Sequence, residues 1–417
     1  MNFIDLFSGA GGLSEGFIKA GFQPVSHVEM DTAACFTLKT RAAFHYLKTN
    51  NSFDTYVQYL KGQISRSELY DNVPAELLDS VINLAIGKEN NNTIFRTIDN
   101  HLRGQNVDLI IGGPPCQAYS LVGRARSENN MKRDPRNHLY VQYGKFLEKY
   151  QPKMFVFENV LGLRSASNGQ YLANMEKLFD KKGYSITINT VNAKDFGVLQ
   201  KRKRLIIIGV KRGLNLRFPD IEAFRSELIG SVDHILNDLP KLSAGDGFNK
   251  NGRYSNIANT YLTESAIRNG IDVLTQHISR PHTDQDKKIY EIAVNKWDNN
   301  QERLNYNDLP IHLKTHNNIT SFTDRFKVVA AELDSSHTVV AHIAKDGHYY
   351  IHPDKKQNRS ISVREAARLQ SFPDDFYFEG VKESTNRTAA FKQIGNAVPP
   401  LMGEFIANMI RQTLCQI

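Results

Sequence analysis

Only three cysteines occur among 417 residues, Cys35, Cys116 and Cys415, far apart and without metal-ligand spacing. That scarcity argues against a disulfide framework or a zinc site and suits a reducing, cytoplasmic home. Long apolar runs are missing as well, and none reaches the length needed to cross a bilayer. Met1-Asn2-Phe3-Ile4-Asp5 has neither the basic nor the apolar region of a signal peptide. No membrane partner and no metal are expected. The chain has no internal repeat and no low-complexity tail. Acidic residues are in deficit, 44 Asp and Glu against 52 Lys and Arg, for a formal charge of +8. A basic surplus fits a polyanionic partner without identifying one.

What is present is an ordinary globular balance, 41% hydrophobic and 23% charged, in a chain long enough for two domains. Asn2-Phe3-Ile4-Asp5-Leu6 predicts a short strand, followed at once by the turn Phe7-Ser8-Gly9-Ala10-Gly11-Gly12. Leu13 to Ala20 has helical spacing and Gly21 reads as its stop. Strand, glycine turn and helix together present the amides of a helix N-terminus to a ligand. Pro24 to Glu29 predicts the second strand. Its terminal carboxylate follows Gly9 at the spacing that reaches ribose hydroxyls, about 20 residues. NAD and S-adenosylmethionine could both use this arrangement, and the turn alone does not separate them.

Val107 to Ile111 predicts a buried strand that ends in Gly112-Gly113-Pro114-Pro115-Cys116-Gln117. Cys116 therefore falls on the loop beyond a strand's carboxyl end, the edge where open parallel sheets bind ligands. A nucleophile would be needed at such a place; the plainer alternative is a small buried hydrophobe. Met154 to Phe157 predicts another strand and runs into Glu158-Asn159-Val160. Asn168 to Lys182 reads as an amphipathic helix with Leu172, Met175, Leu178 and Phe179 on one face. Ser185 to Val191 and Leu205 to Val210 read as strands. Between them stands Gln200-Lys201-Arg202-Lys203-Arg204, whose alternation would point Arg202 and Arg204 to one side of an extended segment.

With these residues in view, the chain resembles the cytosine-C5 DNA methyltransferases. The resemblance rests on Phe7 to Gly12, Gly113 to Gln117, Glu158 to Val160 and Gln200-x-Arg202-x-Arg204. It continues in Arg364-Glu365-Ala366-Ala367-Arg368-Leu369-Gln370 and Gly395-Asn396-Ala397-Val398-Pro399-Pro400, all in family order. The fold it implies is α/β. A Rossmann-like class I methyltransferase domain with a mostly parallel sheet would carry the chemistry, over 1–219 and 384–417. A smaller mixed target-recognition domain would occupy 220–383, including the helix Arg364 to Gln370. The function it implies is sequence-specific methylation of cytosine C5 in double-stranded DNA. S-adenosylmethionine would be the methyl donor and S-adenosylhomocysteine the product. The setting would be the modification half of a restriction-modification system, with a separate cognate endonuclease and a monomeric enzyme.

The resemblance also distributes roles. Cytosine C5 is a poor nucleophile until something adds to C6, and Cys116 would supply that addition as a thiolate. Glu158 would meet N3 with a proton or strong hydrogen bond, Arg204 would contact O2, and Arg202 would support the same pocket. Phe7, Ser8, Gly9, Gly11, Gly12 and Leu13 correspond to the cofactor turn, Glu29 to the ribose acid and Met30 to the position beside the adenine. Pro114, Asn396 and Val398 would follow the same wall. The family's acid-isoleucine pair is poorly reproduced in Thr97-Ile98-Asp99, where Ile98 is taken as the adenine-side contact. The target base must be flipped out of the duplex, against a few kcal/mol. Gln117 to Arg136 would close over it, with Gln117, Ser120, Arg124 and Arg126 facing DNA. Thr338, in Ser336 to Val340, would approach the flipped nucleotide.

Between Asp31 and Thr97 the chain is longer than the family core needs. The stretches Tyr56 to Tyr70 and Ala75 to Ile86 have helical composition. An insertion over about 36–96 is expected, more as an outer helical decoration than as a contact surface. The histidines His337, His342, His348 and His352 read as surface or structural. The nearest rival function is a tRNA cytosine-C5 methyltransferase. Such members carry Cys-Phe-Thr where this chain has Ser321-Phe322-Thr323, which argues against it. A non-catalytic DNA-binding relative would lack the cysteine, the glutamate or the turn, and all three are intact. An NAD oxidoreductase would leave the later motifs unexplained.

Overall fold

Short apolar runs without polar alternation become strands covered on both faces. The computed structural model describes residues 1–115, 138–316, 319–320, 322–383 and 386–416. Its main sheet has seven strands in the order β3-β2-β1-β4-β5-β7-β6. They are β1 Asn2–Leu6, β2 Gln23–Glu29, β3 Val81–Asn83, β4 Leu109–Gly112, β5 Met154–Asn159, β6 Tyr184–Asn192 and β7 Lys203–Lys211. The first five pair in parallel, while β7 runs antiparallel to both β5 and β6. This is the mostly parallel α/β sheet expected of a Rossmann-like methyltransferase domain. Because β1 has β2 on one side and β4 on the other, the chain changes direction of winding there, and a crevice opens at the carboxyl ends.

Alternate residues of each strand feed the two faces. Ile4, Leu6, Ile110, Phe155 and Phe157 pack with Tyr143 and Phe146 of α7 (Leu139–Tyr150) and with Phe179 of α8 (Gln170–Lys181). Phe3, Leu109, Ile111, Val156 and Ile208 face the other way, onto Phe17 of α1 (Gly12–Lys19) and onto Ile406 and Ile410 of α12 (Pro400–Leu414). The carboxyl-terminal segment thus returns to the first sheet. It can do so because α1 offers no side chain at the crossing. A Cβ on Gly16 would lie 2.2 Å from the backbone nitrogen of Glu404.

Four helices fill the long connection after β2: α2 Thr32–Thr49, α3 Phe53–Leu60, α4 Arg66–Asp71 and α5 Ala75–Asp79. The helical composition expected through Ile86 ends earlier, at Asp79, and the chain then adds β3 to the edge of the sheet beside β2. Nor is this an outer decoration. Tyr56, Tyr59, Leu60 and Leu69 share one cluster with Ile271, Val273 and Tyr377, and the Tyr56 hydroxyl donates to the Asp375 carbonyl at 2.7 Å. The next helix is α6, Asn91–Leu102.

From residue 220 onward much of the chain is irregular. It contains a short antiparallel ladder that pairs β8 (Gly247–Phe248) with β9 (His277–Ile278), and the helix α9 (Asp284–Asn300). Thr283 and Asp286 cap α9 reciprocally. Helix α10 (Val363–Leu369) is buried throughout. Arg368 pairs with Asp238 at 2.5 Å and Asp374 at 2.6 Å, and Arg364 donates to Thr275, Pro373 and Phe376. Its basic residues therefore organise this part of the molecule. Gln370 donates to the Ile394 carbonyl of α11 (Arg387–Asn396) at 2.7 Å, joining it to the chain's return. Among the described residues, no helix is long and apolar enough to cross a membrane.

Candidate active site

The carboxyl ends of β1, β2, β4 and β5 open into a cleft of about 700 Å³. One wall is the turn after β1. Phe7 takes φ 58°, a conformation that a bulky residue seldom adopts, and Gly9 and Gly11 are also at positive φ. Strain of this kind collects at ligand clamps. The Glu29 carboxylate at the end of β2 accepts from the Gly9, Met30 and Asp31 amides, each at 2.8 Å. It fixes the turn to the opposite rim. Phe7, Ser8, Gly9, Gly12, Leu13, Glu29 and an exposed Met30 all line the cleft. Gly11 instead precedes α1 as its cap, behind that lining. Asp5, also in the lining, is buried, and burial pushes its carboxyl well above the usual range. Its Oδ2 has no hydrogen-bond partner among the described residues.

The opposite end of the cleft is set by β4 and β5. A Cβ on Gly113 would fall 2.1 Å from the Glu158 carbonyl oxygen, so only glycine allows this approach. Glu158 and Arg204, both largely buried, form an ion pair at 2.8 Å between Oε1 and Nε. Asn159 Nδ2 donates to the Pro114 carbonyl at 3.2 Å, tying the end of β5 to the segment that leads out of β4. Pro114, Pro115, Glu158 and Arg204 share the cleft with Asn396 and Val398 from the carboxyl-terminal return. At the mouth, Lys392 pairs with Asp31 at 2.6 Å. Cys116, Gln117, Ser120, Arg124 and Arg126 lie outside the described residues. Among those described, no group of three or more His, Cys, Asp or Glu is disposed to hold a metal.

Two assignments need correction. Ile98 is not on the cleft: it is wholly buried in the middle of α6, packed into the core under the sheet. The apolar wall near β3 comes instead from Leu84, Ala85 and Ile86. Arg202 does not join Arg204. It precedes the first residue of β7, so the two-residue alternation does not apply, and its guanidinium turns inward to the Val339 carbonyl at 2.7 Å and the Gly395 carbonyl at 3.2 Å. It holds the carboxyl-terminal return against the second part of the chain. Thr338 donates to the Lys201 carbonyl at 2.5 Å, which places it beside the arginine segment and outside the cleft lining. Among the histidines, His337 Nε2 donates to the Tyr349 carbonyl and His348 meets the Tyr290 hydroxyl, both as structural partners. Sequence reasoning passed over Asp5, Leu84 to Ile86, Val381 and Lys392. The acid at the end of β1 was the one signal available for them.

A profile of C-5 cytosine-specific DNA methylases matches residues 1–59 and 81–412. The chain belongs to that family. A type II methyltransferase of Bacillus paralicheniformis, M.Bpa9945I, is 40% identical over 99% of both chains. M1.HphI of Haemophilus parahaemolyticus, also named a type II methyltransferase, is 30% identical over 98% of this chain and 86% of its own. A prophage-encoded E. coli protein, a candidate DNA modification methyltransferase known from its crystal structure, shares the fold with a TM-score of 0.63. It is 24% identical and covers 100% of this chain and 99% of its own. The family match breaks off between 60 and 80, the stretch that holds α4 and α5.

Proposed function

We propose that this family member transfers a methyl group from S-adenosylmethionine to C5 of a flipped cytosine in double-stranded DNA, at one short recognition sequence. The observation that carries the reading is the Glu158–Arg204 pair facing a cleft whose wall, Pro114-Pro115, leads directly into Cys116. The cleft suits the cofactor. Gly9 leaves open space where a side chain would stand, and the Glu29 carboxylate lies in the cleft lining at the family's place for the ribose acid. When bound, S-adenosylmethionine supplies an electrophilic methyl group. Cys116 adds to C6 as a thiolate, so its site must remove the proton that a thiol of pKa about 8.5 retains at neutral pH. Glu158, aligned by Arg204, donates to N3 as electron density rises on the ring. After C5 has been methylated, loss of its proton expels Cys116.

The remaining assignments follow the same reading. Gln117, Ser120, Arg124, Arg126 and Thr338 serve the DNA. Residues 1–219 and 384–417 form the catalytic unit, and 220–383 the unit that reads base edges in the major groove. The relatives named type II methyltransferases support a modification enzyme, for which a cytoplasmic setting and a separate cognate restriction endonuclease are proposed with it. The chemistry needs only a monomer. Bisulfite sequencing of plasmid DNA from cells expressing the protein, beside a Cys116→Ser control, tests this. Protected cytosines at one recurring sequence, absent in the control, are expected. Soluble, cofactor-binding protein that protects none would sink the DNA reading and turn the search to RNA.

A further inference from the structure

Helix α4 lies wholly inside 60–80, the stretch the family profile does not match. Ser65 and Glu68 cap it reciprocally, so Arg66 at its first position is held in a defined direction. The Arg66 side chain crosses the Phe36 ring of α2 with its guanidinium carbon 3.7 Å from the ring centre. Beyond it, Nη1 donates to the Gly380 carbonyl at 2.7 Å and Nη2 to the Val381 carbonyl at 3.0 Å. The Arg66 amide donates in turn to Glu383 at 3.0 Å.

Val381 belongs to the lining of the cleft and is 61% exposed there. An apolar side chain in that position fills no core. Its neighbour Glu379 is fixed from the other side: Gln393, another cleft residue, donates to the Glu379 carbonyl at 2.8 Å. Thr40 and Tyr59 donate to the Glu379 carboxylate from α2 and α3. The wall at 379–381 therefore has no regular secondary structure of its own and takes its position from the helices after β2. Arginine suits this task because its planar fork spans two carbonyls at once.

We propose that the 60–80 insertion is a brace for the cofactor cleft, with Arg66 the positioning residue that presents Val381 to the bound cofactor. The proposal rests on the reading of this cleft as the S-adenosylmethionine site. The test is calorimetric titration of S-adenosylhomocysteine into the full-length protein, wild type and variant. Arg66→Ala is expected to weaken binding about 10-fold, from the loss of two charge-assisted hydrogen bonds to the 380–381 carbonyls and of the ion pair with Glu379 at 3.4 Å, less what water restores. Arg66→Lys, with one point of attachment, should fall between, and Val381→Ala should weaken binding about threefold. In methyl transfer to unmethylated plasmid DNA, the Arg66 variants should raise the KM for S-adenosylmethionine and retain kcat. A purely structural arginine would lower the melting temperature and leave both Kd and KM in place. That result overturns the brace, as does wild-type affinity in Val381→Ala, which decides the matter if the Arg66 variants do not fold. A wild type that binds no S-adenosylhomocysteine overturns the cofactor reading and the brace with it.

Discussion

Glu158 does its work through a geometry that leaves few substitutes. Its carboxylate is fixed by Arg204 at 2.8 Å and its backbone is pressed against Gly113. Glu158→Gln keeps the size and can still donate, but it cannot deliver a proton. It is expected to lower kcat about 10²- to 10⁴-fold, the usual range for a positioned acid. The Kd for S-adenosylhomocysteine should stay near wild type. Single-turnover transfer beside calorimetry checks this, and a parallel loss of binding would instead mean that the ion pair shapes the cofactor cleft. At this scale the spacing of chemistry-bearing residues made the turn, Glu29 and Glu158 legible in the sequence. Arg202 and Arg204 looked alike because alternation assumes a strand under both. The ladder begins at Lys203, and that one-residue difference sends Arg202 into the interior.

Among the elements, the crossing of α1 and α12 is the joint that holds the carboxyl-terminal return against the sheet. Gly16→Ala adds only a methyl group, but it would meet backbone at 2.2–2.3 Å, which cannot rotate aside. The helices would have to separate, and a loss of about 3 kcal/mol or more is expected. Urea unfolding reads this directly, and an unchanged midpoint would show that the crossing tolerates separation. The long strands were legible because they are apolar and bounded by glycine or proline. The edge strand β3 was not. Three residues give no periodicity, and the helical composition of Ala75 to Asp79 just before them masks where the strand starts. The acid-isoleucine pair sought at Ile98 falls in the core, and Leu84 to Ile86, directly after β3, supply that apolar wall instead.

The whole molecule buries several histidines and paired charges. Burial holds His27, His277, His282, His337 and His352 at about 4, below their ordinary 6.5. The unfolded chain therefore takes up protons first as the pH falls. Stability is full above about 6.5 and declines progressively toward 4. Glu365 and Asp374, held low chiefly by Arg359 and Arg368 against their burial, keep contributing until still lower pH. The urea midpoint should fall clearly between pH 7.5 and pH 5, and a flat profile over that range would contradict the burial of these rings. This feature was illegible from sequence. Asp238 and Arg359 carry no sequence signal of burial, yet each is paired out of water with a residue of the α10 helix, Arg368 and Glu365 respectively. The basic helix Arg364 to Gln370 was recognised, but only coordinates show that its arginines are fully buried.

The carboxylate of Glu29 already grips the Gly9, Met30 and Asp31 amides. A ligand arriving in the cleft therefore meets a turn whose backbone is already held at Gly9, Met30 and Asp31. Its affinity is spared the ordering entropy that a floppy glycine turn would exact. The heat capacity change on binding should accordingly report only the apolar area the ligand itself covers.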